Sequence, residues 1–192
     1  MAEPTTRFRL VPQNTTVAAL DTAAERLAAI AGESVVSTGG GNDADFGTVD
    51  ISGGAANASV LTLLWDITAD GGNTLAETFK LWLSDNGFDQ AGSVLKVQPL
   101  SGGDQGAPSL TENYKANAGT GDYTFTNMVE AEPGAINIWP TDEGTSMALS
   151  TASDDVVMWA MYCAIAAGET TGTYKGTDAG MELQFSFKYS YS

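Results

Sequence analysis

"VVMWAMYCAIAAGETTGTYKG", residues 156 to 176, contains the longest apolar run of the chain and its only cysteine. In a β-strand, alternate side chains point to opposite faces. Here Trp159 and Met161 would lie on one face and Met158 and Tyr162 on the other, so neither face is polar. A strand without a polar face is covered on both sides. The run therefore predicts a buried strand of an all-β domain, whose second face is covered by an N-terminal helix or a neighbouring subunit.

Two other interpretations of this run are disfavoured. The apolar stretch 156–167 is well short of the roughly 20 residues that a transmembrane helix needs. Cys163 has no cation near it in sequence to lower its pKa, so we expect a buried, inert thiol rather than a nucleophile. The N-terminal stretch 1–13 lacks the apolar segment of a signal peptide, which predicts synthesis in the cytoplasm.

Strand-like segments separated by Gly, Pro and Asp/Asn clusters occupy most of the chain outward from this run. They recur every 8 to 15 residues without intervening helices, a rhythm typical of an antiparallel β-sandwich of jelly-roll or immunoglobulin-like type. The predicted strands cover residues 58–68, 77–84, 93–100, 122–129, 135–139, 145–151, 156–166 and 181–192.

The N-terminal region has a different pattern. Residues 1–13 read as an extended arm, and an alanine-rich amphipathic pattern with a capping box predicts one short helix at about 16–31. A Gly-rich linker, 37–47, follows. We therefore expect an arm, helix and linker over residues 1–45, and a β-sandwich domain over 46–192.

Charge limits the classes of partner. The chain has 24 acidic and 8 basic side chains, a formal net charge of −16. Nucleic acid is disfavoured as a direct partner, because binding to it depends on lysine and arginine neutralising phosphates. The strong negative charge favours a soluble protein that repels its own copies at long range.

Candidate catalytic chemistry is sparse. Histidine is absent, which excludes Ser-His-Asp and Cys-His sites and removes the commonest transition-metal ligand. Glycosidases need only two carboxylates and no histidine, but among 24 acids such a pairing has no specificity. The Gly-rich stretches 39–43 and 101–108 lack the Lys-Ser/Thr ending of a phosphate-binding loop. We expect no enzyme activity and no cofactor.

Two features remain as candidate binding sites. The stretches 42–45 and 85–89 contain clustered Asp and Asn side chains, but neither has the spacing of a calcium loop, so plain turns are preferred over a structural calcium site. By strand alternation Trp82 faces away from Leu81 and Leu83. An exposed tryptophan suggests an interface with another subunit or a ligand.

The layout WDITADGGNTLAETFKLWLSDNGFD (65–89) and the closing ETTGTYKGTDAGMELQFSFKYSYS (169–192) resemble tailed-bacteriophage virion proteins of β-sandwich type. The decoration, or cement, proteins on the outside of capsids are the nearest match, and the likeness extends in style over residues 46–192. It implies a homo-oligomer, with a trimer favoured, bound to the major capsid protein on the outer surface of the virion. The simplest members of that type lack a helix such as the one predicted here.

The resemblance also implies that an N-terminal arm grips the shell. The expected contacts with the shell or a sister subunit are made by Arg7, Phe8, Arg9, Leu10 and Trp82. Two alternatives stay open: a carbohydrate- or receptor-binding β-sandwich module of an adhesin or tail, and a subunit of a tail tube or filament. No membrane association is expected.

Overall fold

The computed structural model describes residues 2–10, 35–36, 44–100, 125–137, 146–148, 157–174 and 181–190. These residues form antiparallel strands and connecting turns and contain no helix, so the all-β prediction is confirmed for them. The helix predicted at about 16–31 and the Gly-rich linker up to residue 43 lie outside the described residues. In this part of the chain no long apolar helix of bilayer-spanning size is found.

Ten strands are described, in two sheets. The strands are β1 (Thr5–Leu10), β2 (Val35–Val36), β3 (Ala56–Asn57), β4 (Leu61–Ala69), β5 (Leu75–Leu83), β6 (Val94–Leu100), β7 (Thr126–Asn127), β8 (Ser146–Ala148), β9 (Val157–Ile165) and β10 (Leu183–Ser190). The first sheet has the order β2-β1-β4-β9-β6-β7, with β3 also paired to β9. The second has the order β10-β5-β8.

Strand β9, the apolar run, is central in the first sheet. It pairs with β4 on one side and β6 on the other, with Trp159 opposite Leu63. Both faces are covered, because Trp159 is fully buried on one face and Tyr162 is only 5% exposed on the other. The ring of Phe125 lies edge-on against Tyr162, with a centroid distance of 4.9 Å. Phe125, directly before β7, thus supplies part of the second cover, whereas the covers predicted from the sequence, the N-terminal helix or a neighbouring subunit, stay predictions.

Strand β1, part of the predicted arm, belongs to the first sheet. It pairs with β4 so that Phe8 lies opposite Trp65. The chain start is also fixed: the Ala2 amide donates to the Gly71 carbonyl at 3.0 Å, and the Asn73 side-chain amide donates to the Ala2 carbonyl at 2.8 Å. Gly71 has a φ of 65°, and an added Cβ would lie 2.3 Å from the Ala2 oxygen. Glycine is therefore required there both by the turn and by the docked chain start.

Strand β5 alternates as the sequence predicts. Phe79, Leu81 and Leu83 are at most 2% exposed, whereas Trp82 between them is half-buried. The register with β10 shifts at Thr78, which has a φ of 58°. Such a backbone is rare for a β-branched residue and indicates a strained bulge.

One aromatic cluster joins the two sheets. Trp65 of the first sheet meets Phe79 of the second at 5.6 Å between ring centroids, in an edge-on arrangement. Phe185 stacks on Trp159 at 5.9 Å, and Phe8 packs edge-on against Phe185 at 5.4 Å. Aromatic pairs at such distances add to the free energy gained by burying their area.

The strand predicted at 135–139 does not form over residues 135–137. Instead, the Asn137 side chain accepts from the Leu81 amide at 2.9 Å and donates to the Leu81 carbonyl at 2.7 Å. One amide side chain thereby satisfies the backbone edge of β5 that a strand would otherwise pair with. Residues 138–139 lie outside the described part of the chain.

Candidate functional site

The most organised polar site joins two loops around Glu169. Oε1 of Glu169 accepts hydrogen bonds from the Asp89 amide at 2.9 Å and from the Tyr174 hydroxyl at 2.8 Å. Oε2 accepts from the Gln90 amide at 3.1 Å. Glu169 is 6% exposed and lies in the loops just beneath the surface, outside the aromatic cluster. This carboxylate holds loop 85–93 against turn 166–174.

Ser93 also belongs to the Glu169 site. Its side chain is fully buried, and its hydroxyl accepts from the Ala166 amide at 2.9 Å and hydrogen bonds to Glu169. The loop closes on itself, since the Ser93 amide donates to the Gln90 carbonyl at 2.8 Å and the Asn86 side-chain amide donates to the Ser93 carbonyl at 3.1 Å. Hydrogen bonds within the protein thus hold both loops in place without a ligand.

The hydrogen bonds set the charge state of the Glu169 site. Desolvation is the largest single influence on Glu169 and raises its pKa, but the bonds from Ser93, Asp89, Tyr174 and Gln90 together lower the pKa to about 2. Desolvation, and then the hydrogen bond to Glu169, raise the pKa of Tyr174 to about 12. The carboxylate is therefore ionised and the phenol neutral at any pH near 7.

This arrangement suits positioning rather than catalysis. A general acid at neutral pH needs a raised pKa, and that of Glu169 is lowered. Its oxygens already accept bonds from loop amides and a phenol, which leaves them poorly placed to bind a substrate. The absence of enzyme activity stays a prediction.

The calcium alternative involves this same loop. Asp85 and Asp89 are exposed, while Asn86 is half-buried and its Oδ1 has no hydrogen-bond partner. Asp45, the described acid of the second stretch, accepts from the Gly47 amide at 2.7 Å, as Asp does in a plain turn. Over the described ranges no three acidic, Cys or His side chains converge on one point. The preference for plain turns without calcium stays a prediction.

Trp82 lies on the outer face of the second sheet. Gln184 is its register partner on β10. Two residues before it, Lys80 forms an ion pair of 2.8 Å with Glu132. A half-buried indole beside amide and ammonium groups is a surface that can contact either protein or sugar, and the interface role of Trp82 stays a prediction.

The structure does not bring the arm residues and Trp82 together. Arg7, Phe8, Arg9 and Leu10 lie on β1 of the first sheet, whereas Trp82 lies on β5 of the second. Phe8 and Leu10 are partly buried and pack against the core of their own chain. Cys163 is half-buried against this core, and burial raises the pKa of its thiol to about 12; the inert thiol stays a prediction.

Sequence reasoning missed two features of the described residues. The first is Glu169, a lone acid after an apolar strand, for which only the Ala-Gly-Glu turn gave a signal. The second is the rim of the core at β10. Phe185 and Phe187 contact several core rings yet remain half-buried, whereas Phe79 on the neighbouring strand is fully buried. The core is therefore less well covered at β10 than at β5.

Comparisons with protein-family models, curated proteins and solved structures found no match for this chain.

Proposed function

We propose that this chain is a non-enzymatic structural protein of a virion, most specifically a capsid decoration protein that stabilises the shell through subunit contacts. Its two sheets would form a β-sandwich, an interpretation supported by the ring contacts between Trp65 and Phe79 and between Trp159 and Phe185. The major capsid protein and sister copies are the proposed partners, on the outer surface of the capsid.

The observation that carries this proposal is the half-buried aromatic rim along β10. Phe185 and Phe187 pack against the core, but they lie on a strand whose only partner strand among the described residues is β5. A sheet end with apolar side chains and unpaired backbone groups invites pairing with another chain. This is what a subunit of an assembly needs.

The Glu169 site supports a structural role in a second way. It fixes loop 85–93 by hydrogen bonds that need no ligand, and hydrogen bonds to Gly71 and Asn73 hold Ala2 in place before β1. Loops and segments that are already held in place reduce the conformational entropy lost when a subunit enters an assembly. The arm would then contact the shell through the exposed parts of β1, with its core contacts kept.

The proposal is tested with virus particles. Particles purified from a lysate that contains this gene product should retain it through a density gradient, as detected by mass spectrometry. Particles lacking it should break at a lower temperature or at lower osmotic stress, and adding back the purified chain should restore their resistance. Absence of the chain from purified particles would contradict the proposal.

A carbohydrate-binding module is the second candidate, favoured by Trp82 alone. Its indole lies beside Gln184 in register and is followed directly by the fixed loop 85–93. Sugar rings stack on such indoles, and amide groups can bind their hydroxyls. In a glycan array, binding that is abolished in Trp82→Ala and retained in Tyr189→Ala, a variant at the 42% exposed tyrosine of β10, would favour this function.

A further inference from the structure

Strand β10 leaves one backbone edge without a partner strand among the described residues. It has eight residues, and its only partner there is β5. A long edge of this kind is a template for pairing with another strand. The question is which strand completes it.

The alternation of hydrogen bonds shows which groups face the open edge. The Ser84 amide donates to the Glu182 carbonyl at 2.9 Å, so the backbone of Glu182 bonds toward β5. In an antiparallel pair this direction alternates along the strand. Leu183 and Phe185 therefore direct their amides and carbonyls to the open side.

The side chains at this edge alternate in chemistry as well as direction. Leu183, Phe185 and Phe187 share the inner face and pack against the core, yet all three remain half-buried. On the outer face, the two charged residues of this region, Glu182 and Lys188, are both exposed. The edge thus has an apolar inner row and an outer row with one acid and one base near opposite ends.

We propose that β10 pairs antiparallel with β10 of a second copy of this chain, about a two-fold axis at Phe185. In this register Phe185 lies opposite its own counterpart, and Leu183 lies opposite Phe187 of the other copy. Glu182 then lies opposite Lys188 of the other copy, twice by symmetry. The inference deepens the proposed function, on which it rests, by naming one partner and its surface.

Charge complementarity selects this register. Opposite charges across a strand pair are favourable, and like charges are unfavourable. Of the antiparallel self-pairings, only the one centred on Phe185 sets Glu182 against Lys188. It also places them at positions without backbone hydrogen bonds between the copies, where side chains approach most closely. In the same register the half-buried phenyl rings of both copies adjoin and lose exposed area.

The pairing is isologous, so the unit it forms contains two copies. Two chains of 19.9 kDa give a mass of about 40 kDa, distinct from the trimer implied by the resemblance. The attraction between Glu182 and Lys188 of the other copy acts at short range, whereas two chains of net charge −16 repel each other at long range.

Charge exchange tests the register in the full chain. Glu182→Lys and Lys188→Glu should each raise the dimer dissociation constant at least about tenfold, because each change creates two like-charge pairs. The double exchange should return it to within about threefold of the wild type. Lys188 also lies opposite Glu77 of its own chain, so Lys188→Glu disturbs that pair as well. Recovery of the dimer in the double exchange therefore reports the contact between copies.

Cysteine cross-linking provides the second readout. Glu182→Cys combined with Lys188→Cys should give a covalent dimer on mild oxidation, because cross-strand neighbours lie within disulfide reach. Gln184→Cys with Lys188→Cys, displaced by one step of the register, is the matched control and should form far less dimer. The native Cys163 is half-buried against the core, and burial raises the pKa of its thiol to about 12, so we expect it not to compete.

A wild type that stays monomeric at 100 µM, a trimer unaffected by these changes, or equal cross-linking in both cysteine pairs would overturn the inference. Retention in virus particles separates it from the proposed function. A chain that stays in particles but fails these tests keeps the function and loses the β10 contact. A chain that passes these tests but is absent from particles keeps the β10 contact and loses the proposed function.

Discussion

The backbone amide of Asp89 donates a hydrogen bond of 2.9 Å to the carboxylate of Glu169 across 80 residues of sequence. This contact is the centre of a site in which an acid with no cationic partner in the described part of the chain is stabilised by amides and hydroxyls. Bonds to a charged acceptor are among the stronger hydrogen bonds in proteins. The site fixes the loops at one end of the first sheet.

Glu169→Gln should lower the free energy of unfolding by about 1–3 kcal/mol at pH 7, because an amide replaces a carboxylate that accepts from three backbone amides and a phenol. Urea unfolding measures the change. Glu130→Gln, at an exposed acid, is the control and should lie within about 0.5 kcal/mol of the wild type. Equal effects of the two substitutions would contradict this role.

The same site predicts a pH dependence with a definite sign. The folded pKa of Glu169, about 2, is below its ordinary value of 4.5, so its stabilising contribution is present above pH 4.5 and is lost as pH falls toward 2. The difference in unfolding free energy between wild type and Glu169→Gln should therefore shrink between pH 5 and pH 2.5. A difference that stays constant over this interval would exclude the proposed ionisation.

Gly71→Ala should be more destabilising than Gly47→Ala. Both glycines have a positive φ, 65° and 75°, so both substitutions pay about 1–2 kcal/mol for the left-handed backbone. Only at Gly71 would the new Cβ also collide with the Ala2 carbonyl and displace the chain start. Thermal unfolding measures the difference, which should vanish in variants that lack residues 2–4.

Thr78→Gly should relieve strain in β5. A threonine at φ 58° costs roughly 1–2 kcal/mol, which glycine avoids at a smaller entropic cost. We expect the free energy of unfolding to rise by up to about 1 kcal/mol. Glu77 is adjacent to Thr78 but has no positive φ, so Glu77→Gly should lower the free energy of unfolding by a similar amount. Thr78→Gly as destabilising as Glu77→Gly would show that the bulge stores no strain.

Asn137→Ala should lower the free energy of unfolding by about 1–2 kcal/mol, because the Leu81 amide and carbonyl both lose their partner. Asn127→Ala, at an exposed asparagine, should have a negligible effect. Asn137→Asp keeps the acceptor but loses the donor, so it should also destabilise at pH 7 and recover in part when the aspartate is protonated.

The strand content was predictable because it rests on local patterns. The run at 156–166 became β9, and the alternation at 77–84 placed Trp82 on the face opposite Leu81, both within one or two residues of the predicted bounds. Gly and Asp turns between strands are likewise local signals. Such patterns state which residues are buried together without stating which strands pair.

The candidate site depends on long-range contacts and was not predictable. No feature near Glu169 specifies that loop 85–93 will meet it, and the sequence around Asn137 resembles a strand because it is apolar on both sides. The alternating residues of the predicted arm fit an extended arm and a strand inside a sheet equally well. In the structure they form β1 (Thr5–Leu10), which pairs with β4.

Hydrogen exchange at the Phe185 amide tests the central claim, that the β10 edge is completed by a second copy, most directly. At 100 µM the Phe185 amide should exchange at least about tenfold more slowly in the wild type than in the Glu182→Lys variant, because this amide is hydrogen-bonded only in the paired state. Dilution should remove the difference. An amide that exchanges at the same fast rate in both proteins at every concentration would contradict the account.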